Sequence, residues 1–298
     1  MCGIVGLLLK KSADQASLGG LLAPMLTCMN DRGPDSAGLA VFGVSPGRRR
    51  KFSLYSSKPE TDFAELALQF TKKTGMPAEI HVTEHHALLT TACDRAAFLA
   101  WLAETHPHVR ILSAGQSIEM FKDVGAPSAL VKRYAVSAMK GTHAVGHTRM
   151  ATESAVSPAH AHPFTAGEDF CLVHNGSLSN PYSLRRRLER MGIRFETDND
   201  TEAACRFLEW RMREGDTLEQ AIEKAFEELD GFYTLLMATP SRMVLVKDAF
   251  ACKPAVVAET DDYVAVASEF RSLAHLPGVE DAELFEPRPQ KIYSWSVQ

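Results

Sequence analysis

A cysteine stands at the second position of the chain, in MCGIVGLLL. Once an initiator methionine is removed, Cys2 carries a thiol and a free α-amine on adjacent carbons. That is a nucleophile with its own base, since an α-amine is basic enough near neutral pH to accept the thiol proton. An internal cysteine would need a histidine for the task, and a retained Met1 would block the amine. The plainer use of Cys2 is as a small apolar residue leading into a strand with Ile4, Val5 and Leu7. The remaining cysteines, Cys28, Cys93, Cys171, Cys205 and Cys252, are scattered singly, form no C-x-x-C pair and read as buried thiols. Histidines come in close pairs, His85-His86, His106/His108 and His160/His162, but none has the helical i, i+4 spacing of a metalloprotease site or a cysteine partner, so no metal is expected.

Four further segments offer polar groups: DRGPDSAG at 31–38 with Arg32, GHTRMATES at 146–154 with Arg149, VHNGSLSN at 173–180 with Asn175 and Gly176, and TDNDTE at 197–202 with Asp200. Each has a plain use by itself. Arg-Gly-Pro-Asp makes a turn, an arginine on a strand makes a surface ion pair, Asn-Gly closes a hairpin, and an aspartate ahead of a helix caps it. Together with MCGIVG, and in this order, the segments resemble the class II glutamine amidotransferases. These are amino-terminal nucleophile enzymes that include the glutaminase domains of glutamate synthase, glucosamine-phosphate synthase, the purine amidotransferase and asparagine synthetase. The resemblance covers residues 1–51 and about 141–298.

The resemblance implies a division of labour. Cys2 attacks the side-chain amide of glutamine and forms a thioester. Arg149 grips the α-carboxylate, where a planar guanidinium makes two parallel charge-assisted bonds, and Asp200 takes the α-ammonium. Asn175 through its side-chain N–H, and Gly176 through its backbone N–H, form the oxyanion hole that receives the charge developing on the amide oxygen. Arg32 lies beside the nucleophile with Asp35 as a structural partner, His174 is a structural histidine, and Lys253 and Glu269 pack rather than react. Where several relatives have Trp-Ala-Thr-His-Gly, this chain has Met150-Ala151-Thr152-Glu153-Ser154, a change beside Arg149 that bears on the shape of the glutamine pocket.

The elements that position these residues follow from periodicity. Strands are expected at 3–9, in SAGLAVFG, and in HAVGHTR and DFCLVHNG; helices at 18–30, 181–191, 201–213, with Asp200 as cap, and 217–229. FYTLLMAT, RMVLVKD, PAVVAE and DYVAVAS read as antiparallel strands of a sheet. Between them, DFAELALQFTKKTG and DRAAFLAWLAETH read as helices and EIHV and VRIL as strands, giving an α/β insertion at 52–140 whose Leu66, Leu68, Phe70, Phe98, Trp101 and Leu102 suit a core or an interface. Strands at both ends with helices between imply layered α+β packing. The resemblance makes that a four-layer αββα sandwich of the amino-terminal nucleophile hydrolase type, a single amidotransferase domain over 1–298 interrupted at 52–140.

With 298 residues, 45% hydrophobic and 23% charged, the chain has the composition of an ordinary globular protein. A net charge of -5 argues against nucleic acid as a partner, and the basic run Arg48–Lys51 reads as a solvated turn. No apolar stretch is long enough to span a membrane and none reads as a signal peptide, so the expected location is cytoplasmic. No pyrophosphate loop, sugar-isomerase half or dinucleotide fingerprint follows the amidotransferase pattern, and ammonia made here would need a partner subunit. The layout resembles the amidotransferase subunits of glutamate synthase and N-methylglutamate synthase complexes. In that group the partners, not this chain, carry flavin (FMN) and an iron–sulfur cluster. Two other readings stay open at this point: a catalytically silent subunit kept as an assembly or regulatory scaffold, and an amino-terminal cysteine acylase acting on another amide.

Overall fold

GIVGLLL is apolar without alternation because both of its faces are covered. In the computed structural model, which describes residues 2–151 and 155–297, this segment is β1 (Gly3–Leu9), the middle strand of a seven-stranded sheet. The chain then runs through α1 (Leu18–Thr27), β2 (Ser36–Phe42), β3 (Arg50–Ser56), α2 (Phe63–Thr74), β4 (Ala78–Thr83), β5 (His86–Thr91), α3 (Arg95–Thr105), β6 (Val109–Gly115), β7 (Ile118–Val124) and α4 (Pro127–Arg133). It continues through β8 (His143–Arg149), β9 (Phe164–Thr165), β10 (Cys171–Leu178), α5 (Pro181–Arg190), α6 (Asp200–Arg213) and α7 (Leu218–Glu228). It closes with β11 (Gly231–Thr239), β12 (Arg242–Lys247), β13 (Val256–Glu259), β14 (Tyr263–Ala267), β15 (Glu283–Phe285) and β16 (Tyr293–Ser296).

Two antiparallel sheets stack face to face, ordered β15-β13-β14-β1-β8-β2-β7 and β16-β12-β11-β10-β9. Ile4, Leu8, Val145, Val173, Leu236 and Leu245 fill the space between them. Val5, Leu7 and Leu9 point the other way, onto Leu18, Leu22, Met25 and Leu26 of α1 and Leu130 of α4. On the far side, Leu172, Leu235 and Val246 meet Leu184, Ala204, Leu208 and Ile222 of α5, α6 and α7. The result is the αββα sandwich. The four strands expected to share one sheet are divided: β11 and β12 lie in the five-stranded sheet, β13 and β14 in the seven-stranded one. The break falls at the Asp248–Pro254 loop, where the chain crosses between layers.

A separate antiparallel sheet, β4-β5-β3-β6, carries α2 and α3 and has its own core of Phe52, Leu66, Phe70, Leu89, Phe98 and Trp101. Leu102 joins that core, whereas Leu68 is exposed. This unit spans residues 50–115; residues 118–133, placed by the sequence reading in the same segment, belong to the main body instead, since β7 pairs with β2 along its whole length. Arg50 and Lys51 begin β3 rather than a turn, paired with Glu168 and Glu119. The Asp169 carboxylate fastens one junction between unit and body, accepting the N–H groups of Gln116, Ser117 and Ile118 and the Ser117 hydroxyl at 2.7–2.9 Å. At the other junction, the Tyr134 hydroxyl lies between His86 Nδ1 at 2.9 Å and Asp123 at 2.8 Å. Among the described residues, no helix is long and apolar enough to cross a membrane.

Candidate active site

Cys2 sits at the open end of β1, between β8 and β14. Its carbonyl oxygen accepts from Arg32 Nε at 2.6 Å and from Asn175 Nδ2 at 3.3 Å, and its Sγ lies 3.8 Å from the Met150 carbonyl oxygen. One step along the strand, a Cβ on Gly3 would stand 2.9 Å from Met29 Sδ, 3.0 Å from Thr148 Cγ2 and 3.1 Å from Arg32 Cδ. The absence of a side chain at position 3 lets Arg32 reach the cysteine backbone. Arg32 is buried and forms an ion pair with Glu269, which also takes Arg271 Nε at 2.6 Å. Burial alone would raise the Glu269 carboxyl; the two arginines outweigh it and hold the group below its ordinary value. Glu269, expected to be a packing residue, is thus an ion-pair partner of Arg32.

Arg149 ends β8, with its side chain buried and its Nη1 donating to the Ala155 carbonyl at 3.0 Å. Asp35, expected beside Arg32, is bound here instead. Its N–H donates to the Arg149 carbonyl at 3.1 Å and its carboxylate accepts the Ala151 N–H at 2.8 Å. Gly33 packs so closely that a Cβ there would lie 2.8 Å from the Arg149 backbone. The Arg-Gly-Pro-Asp segment is therefore a brace for the end of β8. Of the residues that distinguish this chain from its relatives there, Thr152, Glu153 and Ser154 lie outside the described residues, as does Met1.

Asn175 and Gly176 do not form a hairpin turn; they lie within β10, which pairs with β11 from Cys171 through Leu178. Asn175 faces the space between the sheets, on the same side as Cys171 and Val173. Gly176 is opposite Tyr233, whose N–H donates to the Asp248 carboxylate at 2.8 Å and whose carbonyl accepts the Asp248 N–H at 3.0 Å. With Tyr233 turned toward Asp248, the alternation of an antiparallel ladder directs the Gly176 amide away from β11. Gly176 has φ +145°, and a Cβ would lie 1.9 Å from the Phe232 carbonyl oxygen, so only glycine fits.

Behind this strand His147, His162 and His174 form a buried group around Thr201. The His147 and His162 rings stack at 4.1 Å. His162 Nδ1 accepts the His174 N–H at 3.3 Å, so its proton sits on Nε2, which faces Thr201 Oγ1 at 3.2 Å. His147 Nε2 donates to the His174 carbonyl at 3.0 Å. His174 Nδ1 lies 2.9 Å from Thr201 Oγ1 and 3.7 Å from Asp200 Oδ1. Burial, reinforced by His174, lowers His147 to about 3. Burial likewise pushes His162 well below its ordinary value, and lowers His174 against the pull of Asp200. All three are held in the neutral form at pH 7.

Asp200 is the first residue of α6, not its cap. The cap is Asn199, whose side chain accepts the Thr201 N–H at 2.9 Å. This frees the Asp200 carboxylate to accept the Leu178 N–H at 2.9 Å, which ties the start of α6 to β10 two residues beyond Gly176. The structure thus brings Cys2, Arg32 and Asn175 into direct contact. Arg149 stands next to Met150, the residue under the thiol, and Asp200 joins the same strand as the Asn-Gly pair. Sequence reasoning read Glu269, 237 positions from Arg32, as a packing residue, and gave no place at the site to His147, His162 and Thr201, which come from three separate segments. Among the described residues no group of three or more His, Cys, Asp or Glu side chains is arranged to hold a metal ion.

Known proteins resemble this chain in family and in fold. A family described as the glutamine amidotransferase domain matches residues 147–275. The glutamine amidotransferase-like protein GlxB of Rhizobium meliloti is 51% identical over 100% of this chain and 99% of its own length. The glutamine–fructose-6-phosphate aminotransferase (isomerizing) of Aliivibrio fischeri is 32% identical over 47% of this chain and 23% of its own length. Among solved structures, glutamine phosphoribosylpyrophosphate amidotransferase from B. subtilis superposes with a TM-score of 0.63 at 20% identity, covering 99% of this chain and 47% of that one, a likeness of fold. A full-length relative at that identity, together with the matched domain, shows that this chain belongs to the class II glutamine amidotransferases.

Proposed function

We propose that the chain hydrolyses L-glutamine to glutamate and ammonia through a Cys2 thioester and passes the ammonia to a partner synthase subunit. The observation that carries this reading is the pair of bonds on the Cys2 carbonyl from Arg32 and Asn175, which set the cysteine beside the Asn-Gly pair. With Met1 removed, the α-amine takes the thiol proton and sulfur attacks the glutamine carboxamide carbon. The oxyanion is held by the Asn175 side chain and the Gly176 N–H. The ammonium then returns its proton to the departing nitrogen, ammonia leaves, and water hydrolyses the thioester to free glutamate. Arg149 holds the substrate carboxylate and Asp200 its ammonium, and this pairing favours a free amino acid over another amide.

The ammonia acceptor is the finer part of the proposal. In the Aliivibrio fischeri aminotransferase the matched portion is 23% of the chain, so there the amidotransferase portion is joined to further sequence. By analogy, ammonia made here reacts outside the sandwich, in a subunit of glutamate synthase or N-methylglutamate synthase type that carries FMN and an iron–sulfur cluster. The 50–115 unit is read here as the insertion into the amidotransferase domain, and apart from the exposed Leu68 its apolar helix residues Leu66, Phe70, Phe98, Trp101 and Leu102 serve its own core. Cys2→Ala should abolish glutamate release from glutamine while leaving the melting temperature unchanged. Full glutaminase activity in that variant would overturn the mechanism.

A further inference from the structure

Lys122 is the odd residue of the space between the sheets. It lies on β7 opposite Gly38, which in turn lies opposite His147, so its side chain enters the same layer as the buried histidines. It is 4% exposed, yet among the described residues no carboxylate comes within ion-pair reach of it. Its ammonium rests over the Phe164 ring at 4.6 Å and makes one long bond, 3.4 Å, to the Ala159 carbonyl. An ammonium is not held in such a layer without a counter-charge at little cost.

Lys122 borders a half-open cavity of about 50 Å³ where β6, β7, β9 and the segment before α6 meet, lined also by Arg110, Thr165, Glu196, Thr197, Glu202 and Arg206. That is room beyond one water molecule. Glu202 is already occupied, accepting the Glu196 and Thr197 N–H groups at 2.9 and 2.8 Å, the Thr197 hydroxyl at 2.7 Å and Arg206 at 3.0 Å. Glu196 stands at the rim, exposed, 3.4 Å from Arg206. Arg110 has no ion pair among the described residues and stands exposed on the opposite rim. Three cations therefore face two carboxylates, and the deepest cation lacks a partner.

We propose that this cavity is a binding site for a small oxyanion of phosphate type, seated on Lys122 with Arg110 closing over it. The anion supplies the counter-charge that the fold omits. The state of the lysine agrees: burial, against the weaker pull of Glu196 and Glu202, lowers its ammonium to about 8, and a bound anion would raise it again. One wall of the cavity is the Glu196–Thr197 segment, just ahead of Asn199 and Asp200.

Isothermal titration of the full chain with inorganic phosphate, at ionic strength matched with potassium chloride, tests this without reference to glutaminase activity. A saturable one-site heat is expected, accompanied by a rise in melting temperature. It should weaken at least tenfold in Lys122→Met, which keeps the length of the side chain and removes its charge, and severalfold in Arg110→Ala, an exposed change that leaves the fold intact. Phosphate heat no larger than that of chloride would overturn the site, as would undiminished binding in Arg110→Ala or in a folded Lys122→Met.

Discussion

Between the two large sheets, His143, His147, Asn175 and Lys122 lie among Ile4, Leu8, Val145 and Val173; inside the four-stranded unit the buried set is Phe52, Phe63, Phe70, Leu89, Phe98 and Trp101. Both spaces are mainly apolar, but the first also buries histidine, asparagine and lysine side chains, and of these His147, Asn175 and Lys122 lie toward the end where Cys2 emerges. At the opposite end His143 is bonded to the Thr239 carbonyl at 2.8 Å and stacked on Phe42. The aromatic core of the smaller unit is packed ring against ring. The layer between the sheets gives up some apolar burial so that Asn175 can cross it and touch the cysteine backbone. Stability and chemistry are thus separated in space, and the separation can be attacked from either side.

The largest effect should come from the smaller unit. Phe98 is fully buried and stacked on Phe52 at 4.1 Å. Phe98→Ala should cost about 3–5 kcal/mol in the unfolding of that unit, read by urea denaturation, while glutaminase activity per folded molecule stays near wild type. A collapse of kcat at temperatures where the protein is still folded would show that the two regions are not independent. Next in size is Asn175→Ala. Removing one oxyanion donor should slow turnover by about 10²–10³ with KM little changed. If KM alone moved, Asn175 would be a binding residue.

The smallest effect per group, about 2 kcal/mol per histidine between pH 7 and 5, is set by pH. His86 and His143 are held at about 4 and His147 at about 3, in each case first of all by burial. Their folded values lie below the unfolded one, so the unfolded chain binds the protons first as pH falls. Stability is complete above about pH 6.5 and declines through the window down to pH 4–3, by about 1.4 kcal/mol per pH unit for each histidine at full linkage. Denaturation midpoints at pH 7, 6 and 5 measure it. A flat profile would mean that these rings are charged in the native state.

The sandwich was readable wherever a strand is buried on both faces. HAVGHTR is β8 to the residue, and GIVGLLL is β1. Strands with polar beginnings escaped: RKFSLYS starts in a basic run whose charges find Glu168 and Glu119 only in three dimensions, and HALLTT begins on the second residue of a histidine pair. IEMFKDV alternates well, but its buried Lys122 disguises the inward face. Near the site, motif order located Cys2, Asn175 and Arg32, which the structure brings together. It misassigned partners, because a choice between Asp35 and Glu269 for Arg32, or between Asn199 and Asp200 as cap, is made by backbone geometry that residue types do not encode.

Asp169 has a mechanical consequence. Besides its three N–H acceptor contacts and the Ser117 hydroxyl, its own N–H donates to the Ala114 carbonyl at 3.0 Å, and Gly115 leaves no space for a Cβ, which would stand 2.2 Å from the carboxylate. The smaller unit is riveted there, two residues before β10 begins, and again at Tyr134. Two rivets hold it in a fixed orientation rather than as a pendant on one hinge, and a load on its outer surface would be shared between Asp169 and Tyr134.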